Sequence, residues 1–505
     1  MGWNLNESLR KSAEKFPNHN AITFENKHIT YSDLYSQVEC VASNLVQDGI
    51  RKGDRVALVL GNCPEFVIAY YGILRAGGVV VPVNPIFTKN EISYILSNSQ
   101  AKAVIADSSM EATIESLKVE LKQIEKQYYV GSNKAEFIWE QLIEGKSNDI
   151  EYPLMIEDDL AVILYTSGTT GKPKGAMLSH KNMASNAESV VKLVEFNEDD
   201  RILAALPMFH VFSMTVCINS PIMSGATIVI VQRFHPVEVT NTIFNEKVTL
   251  FAGVPTMYSF LYQLKDYTDE HFKSIRVCLS GGASLPVELL QRFEEKYKTT
   301  ILEGFGLSET APVTAFNPLK GIRKVGSVGI DIPGVINKVV DKYGKEVPRG
   351  EIGELIVKGP NVMIGYLGMP EATSNAIKND WFYTGDLAEM DNDGYIFIVD
   401  RIKDMIIVNG YNVYPREVEE VIYQHPAIVE VAVIGISDKD YGEVVKAFVV
   451  SNDESISMDD ILHFCQDKLA KYKLPKLVEF KKELPKNSTG KILKTALKVE
   501  QVEIN

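Results

Sequence analysis

The eleven residues Tyr165-Thr-Ser-Gly-Thr-Thr-Gly-Lys-Pro-Lys-Gly175 directly follow an apolar run at 160–164. The apolar run predicts a buried strand, so the eleven residues form a loop that leaves a sheet. Glycines let backbone amides approach an anion closely, four serine or threonine hydroxyls add donors, and two lysines add positive charge. The loop is therefore predicted to bind a polyphosphate. It differs from the common phosphate-binding loop because Pro173, rather than Ser or Thr, follows Lys172.

The order of these residues resembles the phosphate-binding signature of the adenylate-forming enzymes, among them acyl-CoA synthetases, aryl-CoA ligases, beetle luciferases and peptide-synthetase adenylation domains. The resemblance implies an enzyme that joins a carboxylic acid to ATP, releases pyrophosphate and passes the acyl group to a thiol. It also implies that ATP is bound by Thr166, Ser167, Gly168, Thr169, Thr170, Gly171, Lys172 and Lys174.

Three further segments resemble nucleotide-binding elements of the same family. In Glu303-Gly-Phe-Gly-Leu-Ser-Glu-Thr310, the resemblance implies an ATP site at Gly304, Phe305, Gly306 and Ser308, with Glu309 as the Mg²⁺ ligand. The family usually has Tyr and Thr where Phe305 and Ser308 stand, but Phe keeps the stacking face and Ser keeps the hydroxyl. Ser280-Gly-Gly-Ala283 and Tyr383-Thr-Gly-Asp386 imply the remaining nucleoside contacts, namely Gly281, Gly282, Ala283, Asp386 and Arg401.

The last hundred residues carry two more resemblances. The segment from Asp400 to Pro415 is similar to the hinge and thioester-forming loop of acyl-CoA synthetases, which implies a hinge at Lys403 and coenzyme A contacts at Gly410 and Tyr411. Pro485-Lys-Asn-Ser-Thr-Gly-Lys491 implies that Lys491 is the catalytic cation that neutralises the phosphoryl transition state.

A segment without charged residues, 202–232, contains the family-like element Leu206-Pro-Met-Phe-His210. The segment is long enough for a membrane helix, but its prolines and Gly225 interrupt it, so a buried core segment is predicted. The resemblance implies that His210 is a gate beside the carboxylate, although a lone histidine in an apolar run is also typical of a core residue. We expect Phe212 and Met214 to line the acyl pocket together with His210.

The uncharged pocket segment favours a medium- or long-chain fatty acid as substrate, because apolar burial is nondirectional and no carboxylate or cation is present to pair with an amino acid or a dicarboxylate. The predicted enzyme is therefore an AMP-forming fatty-acid–CoA ligase. Three alternatives stay open: an aryl-acid–CoA ligase of the cinnamate or benzoate type, a stand-alone adenylating enzyme that loads an acyl carrier protein, and a nucleotide-binding protein without catalysis.

A chain of 505 residues is too long for one core. Alternating helical and apolar segments predict an α/β fold with parallel sheets, followed after about residue 320 by a β-rich subdomain. We expect a large N-terminal domain at 1–399, built from two parallel-rich sheets with helices plus the β-subdomain. A hinge at 400–404 would join it to a small mobile α/β domain at 405–505, which carries the catalytic lysine.

The net charge of −14 argues against nucleic acid as a partner. Five scattered cysteines predict reduced thiols and a cytoplasmic protein, and no integral membrane segment is predicted. ATP, Mg²⁺ and coenzyme A are the expected cofactor and cosubstrates, and the acid is a small molecule. Whether the protein is a homodimer, and whether it touches a membrane peripherally, stay open.

Overall fold

The computed structural model describes residues 3–133, 138–145, 150–166, 173–439, 441–487 and 490–502. Within these ranges the strands form four sheets. Two are large and mostly parallel, one is small and antiparallel, and the last is built only from strands after residue 405. The predicted α/β fold class is confirmed.

The nine-stranded sheet is parallel in its centre and carries antiparallel strands at both edges. Its central strands are short and almost fully buried, as expected when helices cover both faces. In spatial order its strands are Ile330–Asp331, Val313–Phe316, Ile301–Gly306, Val277–Ser280, Leu250–Gly253, Arg201–Ala204, Thr227–Ile230, Asn20–Phe24 and Lys27–Thr30.

The seven-stranded sheet has the same character, and the predicted strand at 160–164 lies within it as Leu160–Thr166. The strand Lys174–Ser179, which follows the predicted phosphate-binding loop in sequence, pairs antiparallel with that strand. In spatial order the strands are Gly365–Tyr366, Lys174–Ser179, Leu160–Thr166, Val79–Pro82, Arg55–Val59, Ala101–Asp107 and Lys126–Val130.

The third sheet is antiparallel and corresponds to the predicted β-rich region. It contains Ile336–Val340, Gly353–Lys358, Trp381–Met390, Ile377–Lys378 and Ile396–Arg401. The last sheet begins five residues later and has a hydrophobic core of its own that includes Val418, Val433 and Ile461. Its strands are Tyr411–Val413, Ile406–Val408, Gly442–Ser451, Ile428–Asp438 and Leu477–Phe480.

Helices cover the sheets, and their local sequence accounts for their limits. Tyr31–Gln47, for example, begins where the Thr30 hydroxyl accepts a hydrogen bond from the Asp33 amide, and it buries Leu34, Val38, Val41 and Leu45 on one face. The other α-helices are Leu5–Lys15, Pro64–Arg75, Lys89–Ser99, Glu111–Glu120, Trp139–Ile143, His180–Val194, Val211–Ser213, Ser220–Ser224, Pro236–Asn245, Pro255–Tyr262, Val287–Tyr297, Pro370–Ala376, Pro415–Tyr423, Met458–Gln466 and Lys494–Val502. Single 3-10 turns occur at Ser108–Met110, Asp269–Phe272, Ser308–Thr310, Ile402–Asp404 and Lys471–Lys473.

The charge-free segment is buried in the main hydrophobic core, as predicted. It forms a strand, two short helices and the π-helix Met214–Asn219 before it enters the strand Thr227–Ile230. No helix in the described part of the chain has the length and apolar character needed to cross a membrane.

All five cysteines are free, and Cys217, Cys278 and Cys465 are buried. Burial raises the pKa of the Cys217 and Cys278 thiols to about 12. Both side chains therefore stay neutral thiols at physiological pH.

Candidate active site

One cavity of about 860 Å³ lies where the sheets meet, and most of the predicted site residues line it. These residues arrive from all four sheets or from the turns beside them, so the site exists only in the assembled molecule. They are Thr166, Lys174, His210, Phe212, Gly281, Gly282, Gly304, Phe305, Gly306, Ser308, Glu309, Arg401, Lys403 and Lys491.

The other predicted residues lie elsewhere. Met214 is fully buried and is not part of the cavity wall, because the π-helix places it in the core and Val216 faces the cavity instead. Ala283 does not line the cavity, and Gly410 and Tyr411 lie on the turn and the following strand of a hairpin in the last sheet. Ser167, Gly168, Thr169, Thr170, Gly171 and Lys172 lie outside the described residues.

Lys491 lines the cavity, and hydrogen bonds hold both its own amide and the preceding residue, Gly490. The Asn487 side chain accepts a hydrogen bond from the Lys491 amide at 2.9 Å. The Thr256 hydroxyl donates to the Gly490 carbonyl at 3.1 Å, which ties the loop to the helix Pro255–Tyr262 of the large region. Gly490 has a φ of +84°, and a Cβ there would lie 2.8 Å from the Thr256 hydroxyl, so glycine suits this close approach.

Two basic groups of the cavity have strongly lowered pKa values. Burial, together with the nearby charges of Arg401 and Lys403, lowers the pKa of Lys491 to about 8. Burial and the charge of Lys491 lower the pKa of His210 to about 4. His210 is therefore neutral at pH 7. Its Nδ1 accepts a hydrogen bond from the Phe212 amide at 3.3 Å, so its remaining proton is on Nε2.

Glu309 lies in the 3-10 turn Ser308–Thr310 and is held by the short strand Gly365–Tyr366 and the residues before it. The Tyr366 hydroxyl donates to Glu309 Oε1 at 2.8 Å, and the Met363 amide donates to the Glu309 carbonyl at 2.9 Å. Lys174 Nζ lies 5.1 Å from the centroid of the Tyr366 ring. An acidic and a basic side chain thus lie on opposite parts of one tyrosine.

Asp386 is buried behind Gly385, which lines the cavity. Arg401 lies on the neighbouring strand, and its Nε is 3.3 Å from Asp386 Oδ1. Among the described residues, Asp386 Oδ2 and the Ser280 hydroxyl are buried without a hydrogen-bond partner. Buried polar atoms are normally paired, so two unpaired ones beside one cavity indicate a polar ligand.

Glycines 304 and 306 allow the strand Ile301–Gly306 to pack tightly beside the cavity. A Cβ at Gly304 would lie 2.3 Å from the Phe316 ring, and one at Gly306 would lie 2.1 Å from the Pro312 carbonyl oxygen. Phe305 lies between the two glycines, lines the cavity and packs on the core beneath the third sheet.

One part of the cavity is apolar. Its described wall contains aliphatic and phenylalanine side chains and no cysteine: Val190, Leu193, Val194, Leu206, Phe209, Val211, Phe212, Val216, Val313 and Phe316. His210 lines the same cavity as these side chains, and the charge of Lys491 acts on its pKa.

Several residues of the site were not predicted from the sequence. Tyr366, Glu354 and Asn487 line the cavity, and Thr256 anchors the Lys491 loop. Asn487 lies inside the quoted lysine motif and could have been found there. Tyr366 and Thr256 carry no local signal, because only tertiary packing brings them to the site.

The comparisons with known proteins agree with this geometry. Residues 9–367 match the family described as AMP-binding enzyme, and residues 417–491 match the AMP-binding enzyme C-terminal domain. A long-chain-fatty-acid–CoA ligase from Bacillus subtilis (strain 168) is 38% identical, with 99% of this chain and 95% of the relative covered. A feruloyl-CoA synthase from an Amycolatopsis species is 35% identical, with 96% of each chain covered.

Among solved structures, ATP-bound MatB from Rhodopseudomonas palustris superposes with a TM-score of 0.93 at 35% identity, and the match covers 100% of both chains. The two family matches together span most of the described residues. The chain therefore belongs to the AMP-binding enzyme family, the adenylate-forming family that its sequence predicts.

Proposed function

We propose that this protein is an ATP-dependent, AMP-forming acyl-CoA ligase that activates a medium- or long-chain fatty acid. One observation carries the proposal: the uncharged, apolar wall meets His210 and Lys491 inside the same cavity as the nucleotide-site residues. In this proposal the acid's tail occupies the apolar part, and its carboxylate lies beside His210.

The first step joins the acid to ATP. A carboxylate oxygen attacks the α-phosphorus, the bond to the β-phosphate oxygen breaks, and pyrophosphate leaves. His210 Nε2–H is the donor that orients the carboxylate, because Nδ1 is already occupied as an acceptor. The Lys491 ammonium, which faces the cavity, offsets the negative charge that accumulates around phosphorus.

The described residues fit a nucleotide-bound Mg²⁺. Among them, no group of three or more His, Cys, Asp or Glu side chains could hold a metal by itself. Mg²⁺ on nucleotides usually takes one or two protein carboxylates and completes its shell with phosphates and water. Glu309 would supply that carboxylate, because only one of its oxygens accepts the Tyr366 hydroxyl. The cation would screen the phosphate charge.

The nucleoside is proposed to occupy the edge formed by Asp386, Arg401, Gly281 and Phe305. Two ribose hydroxyls would supply the donors that Asp386 lacks, and the Phe305 ring offers a face for adenine. Lys174, at the end of the predicted phosphate-binding loop, would pair with the β- and γ-phosphates, which leave as pyrophosphate.

The second step transfers the acyl group to the thiol of coenzyme A. We propose that the region 405–505 pivots at Lys403, within the 400–404 hinge, away from the domain at 1–399. Lys491 faces the cavity in the present arrangement, whereas Gly410 and Tyr411 lie on a hairpin outside the cavity wall. A rotation of the region 405–505 would move Lys491 away from the cavity and bring Gly410 and Tyr411 to it.

An aryl acid is the second candidate substrate. The feruloyl-CoA synthase relative favours it, and so do the Phe209, Phe212 and Phe316 rings of the apolar wall. The aliphatic majority of that wall, and the long-chain-fatty-acid–CoA ligase relative, favour the fatty acid. We further propose that the protein acts in the cytoplasm and that its partners are small molecules. Light scattering would test whether it forms a homodimer.

The test is AMP release from ATP and Mg²⁺ that depends on coenzyme A, across fatty acids of increasing length and several aryl acids. We expect a maximum at one fatty-acid length, and Lys491→Ala should lower that rate by about 10²–10³-fold. Lys482→Ala, which removes an exposed lysine nearby, is the matched control and should retain activity.

Each other outcome replaces part of the proposal. A maximum on an aryl acid would assign the second candidate. Pyrophosphate release without consumption of coenzyme A would point to transfer onto a carrier protein. An absence of turnover on every acid of the panel would leave the adenylation chemistry standing but would contradict the fatty-acid assignment.

A further inference from the structure

We propose that Tyr366 is a positioning residue that holds the Glu309 carboxylate in the orientation in which it binds the divalent cation of the ATP complex. The inference deepens the proposed function, because it rests on the proposed role of Glu309. It concerns a residue that belongs to neither the glutamate motif nor the phosphate-binding loop.

The first support is the hydrogen bond itself. The Tyr366 hydroxyl donates to Glu309 Oε1 at 2.8 Å, and the tyrosine is only 9% exposed. A hydrogen bond to a charged acceptor is stronger than one between neutral groups, and burial limits competition from water. The bond therefore fixes the rotation of the carboxylate.

The second support is that the same short segment holds both ends of Glu309. The Met363 amide donates to the Glu309 carbonyl, three residues before Tyr366 binds the side chain. With backbone and carboxylate both tied, Oε2 has no hydrogen-bond partner among the described residues. That oxygen is the one left for a cation.

The third support is the rigidity of Tyr366. Tyr366 pairs with Ala176 in the seven-stranded sheet, and its backbone amide donates to the Thr373 hydroxyl at 2.9 Å. Gly365, with a φ of +152°, lies so close to Thr373 that a Cβ would be 2.7 Å from its methyl group. The tyrosine thus has little freedom to follow a moving glutamate.

The fourth support is the position of Tyr366 between two phosphate-facing elements. Lys174, at the end of the phosphate-binding loop, places its ammonium 5.1 Å from the centre of the ring. The aromatic face attracts the cation while the hydroxyl binds the anion. One side chain therefore sets the spacing between the lysine and the carboxylate that would meet the same polyphosphate.

The test measures metal binding rather than turnover. Mn²⁺ replaces Mg²⁺ as the probe, bound together with a non-hydrolysable ATP analogue, and free Mn²⁺ is followed by electron paramagnetic resonance. Tyr366→Phe keeps the ring and removes only the hydroxyl. We expect Mn²⁺ affinity in the complex to fall about tenfold, as when a partner of a metal ligand is lost, with unchanged binding of the metal-free analogue.

Tyr297→Phe is the matched control. Tyr297 is also buried, its hydroxyl donates to the Leu261 carbonyl at 2.6 Å, and Lys296 Nζ lies 4.9 Å from its ring centroid. Like Tyr366, it combines a buried ring, a hydroxyl that donates a hydrogen bond and a nearby lysine, but it does not bind Glu309. Its substitution should therefore leave Mn²⁺ affinity unchanged.

Glu309→Gln and the double variant separate the two proposals. If Tyr366 acts through Glu309, the double variant binds Mn²⁺ no more weakly than Glu309→Gln alone. Equal effects of Tyr366→Phe and Tyr297→Phe, or additive losses in the double variant, would overturn the positioning role. Normal Mn²⁺ affinity in Glu309→Gln would instead overturn the proposed metal ligand, and the positioning role with it.

Discussion

Lys491 shows how strongly one side chain depends on its surroundings. Its ammonium is placed among Arg401 and Lys403, with Asp386 as the opposing charge, and burial is the largest cause of its lowered pKa. A phosphoryl-transfer site benefits from a concentrated positive charge. The same neighbouring positive charges lower the pKa of this lysine, so it loses its proton more easily while no anionic substrate is bound.

The pH dependence of the first step follows from this pKa. Only the charged ammonium offsets the phosphoryl charge, so activity is present below the folded pKa of about 8 and is lost as pH rises through it. We expect kcat/KM for ATP to fall between pH 7 and pH 9.5. Arginine stays charged over this range, so Lys491→Arg should be slower but lose this decline.

Pyrophosphate release at saturating acid, measured over that range, checks this prediction. An equal decline in Lys491→Arg would assign the titration to another group. No inflection is expected near pH 6.5, because the pKa of His210 is lowered to about 4 by burial.

The strand Ile301–Gly306 serves two surfaces at once. Gly304, Phe305 and Gly306 line the cavity, while Glu303 lies 2% exposed against the last helix-and-sheet unit. Glu303 Oε1 accepts from the Leu285 amide at 3.0 Å, and Glu420 on the helix Pro415–Tyr423 accepts from the Val287 amide at 3.3 Å. The Glu420 bond crosses the junction between the two units, whereas the Glu303 bond lies within the large region beside it.

Glu303 gives this element a pH-dependent stability. Burial raises its pKa to about 7, and the Arg416 charge offsets only part of that effect. Because the folded pKa lies above the unfolded one, the folded state binds the extra proton, and stability falls as pH rises from about 4.5 to 7. The full cost of ionising the group is about 3 kcal/mol.

Glu303→Gln removes this cost and keeps an acceptor for the Leu285 amide. We expect its thermal unfolding midpoint to exceed that of the wild type at pH 8 and to match it at pH 5. Glu295→Gln, an exposed glutamate on the helix Val287–Tyr297, should show no such difference. A variant that is less stable than wild type at both pH values would count against an ionised, destabilising Glu303.

On the scale of the whole molecule, the described contacts that join the last unit to the rest include several between polar groups. These include the Thr256–Gly490 and Glu420–Val287 hydrogen bonds and Lys486, whose Nζ lies 5.4 Å from the Phe260 ring centroid. A small polar junction of this kind suits two units that separate and meet again during catalysis.

Lys403→Pro tests that motion. Proline fixes φ near −65°, a value compatible with the 3-10 turn Ile402–Asp404 but not with a free pivot. We expect pyrophosphate release in the first turnover to persist, while acyl-CoA formation from preformed acyl-adenylate falls about 10²-fold or more. Lys403→Ala should retain both steps, and equal loss of both steps in the proline variant would contradict a hinge.

The sequence predicts local elements well where their signals are local. Helix Tyr31–Gln47 is an example, because the residue that caps it and the apolar residues of its buried face both lie within or beside the segment itself. The strand predicted at 160–164 extends to Thr166, because pairing with Lys174–Ser179 lengthens it. Motif residues such as Glu309 and Lys491 could be found because their neighbours in sequence are distinctive.

What could not be predicted depends on packing over long distances. Tyr366 reaches Glu309 across 57 positions of sequence, and nothing near Gly365 indicates that partner. Met214 was expected on the pocket wall from its apolar surroundings, but the π-helix gives the wall position to Val216. Helical periodicity cannot anticipate such a change of turn.

The buried cysteines matter because an acyl-adenylate intermediate can react with thiols of the protein itself. An acyl-adenylate is a mixed anhydride that acylates any thiolate within reach. Cys217 and Cys278 carry pKa values of about 12, and the described cavity wall contains no cysteine. Cys217 and Cys278 are therefore uncharged and lie outside the described cavity wall, so these two thiols do not compete with the thiol of the incoming acceptor.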